Sequence, residues 1–155
     1  ELNTTSAPSF TDDASEPAAA LPPEVDSDAA RHTLLYVEDN PANLQLVEQL
    51  IARRPDMRLL AAVNGPLGIK LAQASRPDVI LMDINLPGMS GTEAMKILRA
   101  DTATAHIPVV ALSANAIPHD IQRGLEAGFF RYLTKPIKVN EFMETLDAAL
   151  KSAER

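Results

Sequence analysis

Between Pro77 and the Pro87-Gly88 pair, Val79-Ile80-Leu81-Met82 runs without a polar side chain and ends on Asp83. A run this short, apolar throughout and closed off by proline, reads as a strand buried on both faces. Burial on both faces requires a layer on either side, which points to parallel strands joined by helices. The charged residue ends its strand where open parallel sheets place their sites.

The rest of the chain repeats this alternation. Thr33 to Val37 is apolar and β-prone, and Glu38-Asp39-Asn40-Pro41 follows it. Asn40 suits an N-cap and Pro41 a first helical position. Leu44, Val47, Leu50 and Ile51 recur at helical spacing, predicting a helix to about Arg54. Met57 to Val63 forms a second strand. Asn64-Gly65-Pro66 opens a second helix, with Leu67, Leu71 and Ala74 as its apolar face. The Asp83 strand comes third. Pro87 to Gly91 is a loop, and Thr92 to Ala100 a third helix carrying Met95, Ile97 and Leu98. Pro108 to Ser113 is a fourth strand. Pro118 to Ala127 is a fourth helix, with Gly128 at C′. Phe129 to Leu133 is the fifth strand. Asn140 caps a last helix, with Phe142, Leu146, Ala149 and Leu150 inward. This predicts a single α/β domain, a doubly wound five-stranded parallel sheet of order 2-1-3-4-5, the flavodoxin-like arrangement.

Composition bounds the function. The 155-residue chain has no Cys, which excludes disulfides and thiolate metal sites. No apolar run approaches the ~20 residues of a membrane helix, so no membrane contact is expected from this segment. Residues 1–30 hold seven of the 21 acids and none of the 14 Lys and Arg, so the net charge of −7 resides there. Residues 1–31, rich in Pro, Ala and acid, read as a disordered linker. Residues 32–155 form the domain. Its balanced charge offers no basic patch for nucleic acid.

The strand ends carry the chemistry. Glu38 and Asp39 end the first strand, Asp83 the third and Ser113 the fourth, and Lys135 follows the fifth. A parallel sheet brings all of these to one edge. Three neighbouring carboxylates repel unless a cation lies among them. An all-oxygen set suits a hard ion such as Mg²⁺, bound through one or two carboxylates, waters and a phosphate. A Lys serves as a point-charge phosphate partner and a Ser hydroxyl as a donor. Asp83 is then a carboxylate nucleophile of the kind that forms an aspartyl phosphate.

The segments Leu35-Tyr36-Val37-Glu38-Asp39-Asn40, Ile80 to Gly91, Val110-Ala111-Leu112-Ser113-Ala114 and Tyr132-Leu133-Thr134-Lys135-Pro136-Ile137 together resemble the receiver domain of two-component response regulators, the CheY-like family. The resemblance spans about Arg31 to Ala153. It implies that Asp83 accepts phosphate from a phosphohistidine on a histidine kinase or a histidine phosphotransfer protein. It implies Mg²⁺ held directly by Asp39 and Asp83, by Glu38 through water, and by the backbone carbonyl of Asn85. Ser113 and Lys135 contact the phosphoryl group, and Ser113 and Tyr132 form the conformational switch. The Lys135–Pro136 peptide is expected cis. The Glu-Asp pair, the acidic linker and Glu38 to Asn43 resemble receivers fused to bacterial hybrid sensor kinases, so a cytoplasmic receiver at the C-terminal side of such a kinase is expected. Such a domain is no stand-alone enzyme beyond its own phosphorylation and dephosphorylation.

Two alternatives remain at this stage. A degenerate receiver would be an interaction module that takes no phosphate. A phosphatase of the haloacid-dehalogenase type would place a second Asp two residues after the nucleophile, where Asn85 stands. Asn85 and Asn115 are candidates for orienting a hydrolytic water. His32, His106 and His119 lack metal-ligand spacing and are expected in solvent. Phe129 and Phe130 are candidates for either core or a partner-facing surface.

Overall fold

The structure is a computed structural model that describes residues 32–114 and 117–153. Residues 1–31, expected to be a linker, and Asn115 lie outside the described residues. The elements in chain order are β1 (His32–Val37), α1 (Pro41–Ile51), β2 (Met57–Ala62), α2 (Gly65–Ser75), β3 (Val79–Asp83), α3 (Gly91–Ala100), β4 (Val109–Ser113), α4 (Pro118–Glu126), β5 (Arg131–Thr134) and α5 (Val139–Ala153). All pairings are parallel, in the order β2-β1-β3-β4-β5. This is the expected doubly wound sheet.

Alternation along the strands divides the core in two. Leu34, Tyr36, Leu81, Val110 and Leu112 point to one face, against Val47, Leu50 and Ile51 of α1 and Phe142, Leu146 and Ala149 of α5. Leu35, Val37, Ile80, Met82 and Ala111 point to the other, against Ile69 and Ala72 of α2 and Ala94, Met95 and Leu98 of α3. Every residue of β3 and of β4 is buried, so Asp83 and Ser113 are carried to the sheet edge by fully covered strands.

Caps fix where the helices begin. Asn40 Oδ1 accepts from the Ala42 N–H at 2.8 Å, and Asn64 Oδ1 accepts from Leu67 N–H at 2.8 Å. Ser90 and Glu93 form a reciprocal capping box at α3. Gly128 closes α4 with φ +113°.

Several sequence expectations shift. In α2 the packed face is Gly65, Gly68, Ile69 and Ala72, while Leu67 is exposed. The cause is Gly68: a Cβ there would lie 2.7 Å from Val37 Cγ2, so the bare backbone faces β1. In α3 the buried set is Ala94, Met95 and Leu98, and Ile97 is exposed. β5 begins at Arg131, because the Phe129 N–H closes α4 on the Gly124 carbonyl. Phe129 is buried and Phe130 packs against the core, which favours the core reading of both. Asn140 lies inside α5 instead of capping it, and α1 ends at Ile51. His106 and His119 are exposed, but His32 is half-buried, its Nδ1 3.9 Å from Asp78 Oδ2.

Candidate functional site

Three short backbone links gather the site. The Glu38 N–H donates to the Ala62 carbonyl at 2.9 Å and holds the exit of β1 beside β2. The Ile84 N–H donates to Leu112 O at 2.9 Å, tying the turn after Asp83 to β4. The Lys135 N–H donates to Ser113 O at 2.8 Å, so the chain leaving β5 passes beside the end of β4. The Lys135–Pro136 peptide is cis.

On this frame Glu38, Asp83 and Ser113 are almost completely buried, whereas Asp39 is exposed. Carboxylate oxygens of Glu38, Asp39 and Asp83 lie within 4.8 Å of one another. Lys135 Nζ reaches both buried carboxylates, at 3.2 Å from Asp83 Oδ2 and 3.5 Å from Glu38 Oε1. Asp83 Oδ1 accepts from the Asn85 N–H at 3.0 Å. Asn85 thus contributes a backbone group to the site. Two buried carboxylates sharing one ammonium leave a surplus of negative charge, which suits an added cation.

Glu38 is held on both oxygens. The Tyr36 hydroxyl donates to Oε1 at 2.8 Å, and the Asn40 N–H donates to Oε2 at 3.1 Å. Burial pushes the Glu38 carboxyl above the usual range, hydrogen bonds from Tyr36 and Asn40 pull it back, and the Asp83 charge pushes it up again. Burial, then the bond to Glu38, drives the Tyr36 phenol far above its ordinary value, so it stays a donor. The sequence pattern shows Tyr36 only as an apolar strand residue. The signal available was its place two residues before Glu38, hence on the same side of β1.

Beside the carboxylates a cavity of about 330 Å³ is lined by Asn85, Lys96, Ser113, Arg123, Gly124 and Tyr132. Tyr132 is half-buried, packed against the core face that α2 and α3 cover. Gly124 makes room for it: a Cβ at that position would lie 2.7 Å from Tyr132 Cδ2.

The response regulator receiver domain family model matches residues 34–147. The chain belongs to that family. Among curated relatives, the polar-differentiation response regulator DivK of Brucella anthropi is 40% identical over 121 residues, covering 78% of this chain and 98% of that protein. Among solved structures, the receiver domain of the sensor histidine kinase PA1611 from Pseudomonas aeruginosa, with magnesium in its active-site cleft, aligns with a TM-score of 0.71 at 34% identity over 79% of this chain and 99% of that one. The chemotaxis protein CheY4 of Vibrio cholerae aligns at 0.72 and 28% identity, over 78% of this chain and all of that one. The chain is therefore a receiver domain of two-component signalling. In such systems receivers interact with kinases or phosphotransfer proteins. No helix among the described residues is long and apolar enough to cross a membrane.

Proposed function

We propose that Asp83 is the phosphoacceptor of this receiver and that Glu38, Asp39, Asn85, Ser113 and Lys135 serve its phosphorylation. The observation that carries this reading is the buried Asp83 carboxylate, held by Asn85 N–H on one oxygen and Lys135 Nζ on the other. Both contacts fix the carboxylate while lone pairs remain on each oxygen for attack. The phosphoryl group leaves the imidazole nitrogen of a partner phosphohistidine. The P–N electron pair stays on the imidazole, and a P–O bond forms to Asp83. Little covalent chemistry falls to the protein. Its contribution is placement and neutralisation of the phosphoryl oxygens, by Lys135 from one side and the Ser113 hydroxyl from the next strand.

The donor set is all oxygen and includes three carboxylates, which fits Mg²⁺. Asp39 and Asp83 would hold the ion directly, with the Asn85 carbonyl, and Glu38 through water. The ion would supply charge neutralisation and orientation of phosphoryl oxygens. Phosphorylation would then draw Ser113 toward the new group and turn Tyr132 into the cavity both residues line. The donor is a histidine kinase or a histidine phosphotransfer protein in the cytoplasm, and residues 1–31 act as a linker.

Incubation with acetyl phosphate, followed by intact mass, tests the reading. One phosphate should be gained with Mg²⁺ and none without it or in Asp83→Asn. A wild-type chain that gains nothing under any condition would leave an interaction module without phosphoacceptance as the better reading.

A further inference from the structure

The mechanism above uses the carboxylates and Lys135 but leaves the Tyr36 hydroxyl unexplained. Tyr36 is fully buried in the core face shared with α1 and α5. Packing alone needs only its ring. A buried phenol must find a partner, and a Phe would avoid that requirement. Here the partner is Glu38 Oε1, the same oxygen that faces Lys135 Nζ at 3.5 Å. A continuous chain therefore runs from the Tyr36 O–H through Glu38 to Lys135 and on to Asp83 Oδ2.

We infer that Tyr36 is a positioning residue for the metal site: its hydroxyl holds Glu38 turned toward Lys135, so that this ammonium is shared between two carboxylates. The inference rests on the proposed reading of the Asp83 site. With the hydroxyl present, Glu38 has three donors around it and a single orientation, and Asp83 takes only part of the Lys135 charge. Without it, Oε1 loses its shortest bond, Glu38 keeps only the Asn40 N–H on Oε2 and the longer Lys135 contact, and Lys135 shifts toward Asp83. The ammonium then competes with the cation for the carboxylate that should bind it. Groups that orient ligating residues in this way are typically worth tenfold or more in metal affinity.

The test is Mg²⁺ titration of the full chain by calorimetry, comparing wild type, Tyr36→Phe, Glu38→Ala and the double variant, with melting temperatures measured in chelator. The expected result is a Kd about tenfold weaker in Y36F and no further change when Y36F is added to E38A, because the hydroxyl acts only through Glu38. An unchanged Kd in Y36F, even with a lower melting temperature, would assign Tyr36 to packing alone and overturn the inference. So would an equal Y36F effect in the E38A background. A wild-type chain that binds no Mg²⁺ at all would overturn the metal-site reading and this inference with it.

Discussion

Lys135 Nζ sits 3.2 Å from Asp83 Oδ2, although 52 residues separate the two in sequence. The pairing depends on β3, β4 and β5 ending together at one edge, with β4 between the two residues, and on the Lys135 N–H bonding the Ser113 carbonyl. Replacing Lys135 by Met keeps the stem and removes the charge. The fold should persist, because Lys135 is partly solvated and lies outside the core. Phosphorylation by acetyl phosphate should slow by about 10²-fold, the usual cost of losing one fixed donor to a developing charge. Initial rates from intact mass measure this. A rate within about threefold of wild type would remove Lys135 from the proposed machinery.

Gly91 begins α3 where the chain doubles back on Asp83. A Cβ there would lie 2.5 Å from the Asp83 carbonyl oxygen and 2.9 Å from Ile84 Cα, and the Gly91 N–H already donates to Ile84 O at 3.0 Å. These obstacles are backbone, so no side chain can swing aside. Gly91→Ala should cost about 1–3 kcal/mol in urea unfolding and should slow phosphorylation, since relief requires the Asp83 backbone to move. Gly88 offers the contrast. Its φ is +76° with nothing within 4 Å of a Cβ, so Gly88→Ala should cost only the left-handed penalty of about 1 kcal/mol.

Glu38 gives the pH dependence. Its folded carboxyl is raised above its ordinary value of 4.5, chiefly by burial. The native state therefore keeps this proton to a higher pH than the unfolded chain does. Stability falls as pH rises through the window from 4.5 up to the folded value, and the penalty is complete above it. Glu38→Gln removes this titration. In chelator, the stability difference between Glu38→Gln and wild type should grow in favour of the variant as pH rises from 4 to 7. Carboxylates remote from Glu38 cancel in that difference. The Gln amide has one acceptor oxygen where Glu38 offers two, to Tyr36 and to the Asn40 N–H, so the trend with pH is the readout and not the absolute offset. A flat difference would mean that the hydrogen bonds, rather than burial, set this carboxyl.

The sequence made the site legible to the extent that strand ends are legible. Asp83 and Ser113 each terminate an apolar run, and a parallel sheet needs no further information to align them. Tyr36 escaped because its ring satisfies the apolar pattern and its hydroxyl announces nothing until Glu38 is seen to fold back beside it. The same limit explains the helix faces. Apolar spacing places both Met95 and Ile97 within a helix, but which one meets the sheet depends on the angle at which α3 lies. Apolar spacing points to Leu67 as a packed residue of α2 because Gly68 has no side chain to count. The contact that orients the helix is an absent Cβ against Val37. The sequence predicts a fifth strand from Phe129, a β-prone residue whose N–H is instead used by α4.

Gly124 shows how an absent side chain bears on the proposed switch. It lies in α4, a helix with no buried residues and no side-chain cap, where Gly→Ala ordinarily gains about 1 kcal/mol. A Cβ here would lie 2.7 and 2.8 Å from Tyr132 Cδ2 and Cε2. The ring must therefore leave its present position or the helix must lift from β5. Gly124→Ala should forfeit most of the helical gain, and the Tyr132 ring resonances should shift. The two effects share one cause, so a cycle separates them. In a Tyr132→Ala background the same Gly124→Ala change should recover the full gain of about 1 kcal/mol. If the gain is equal in both backgrounds, Tyr132 does not feel α4 at Gly124. The ring's resting position beside Ser113 is then set elsewhere.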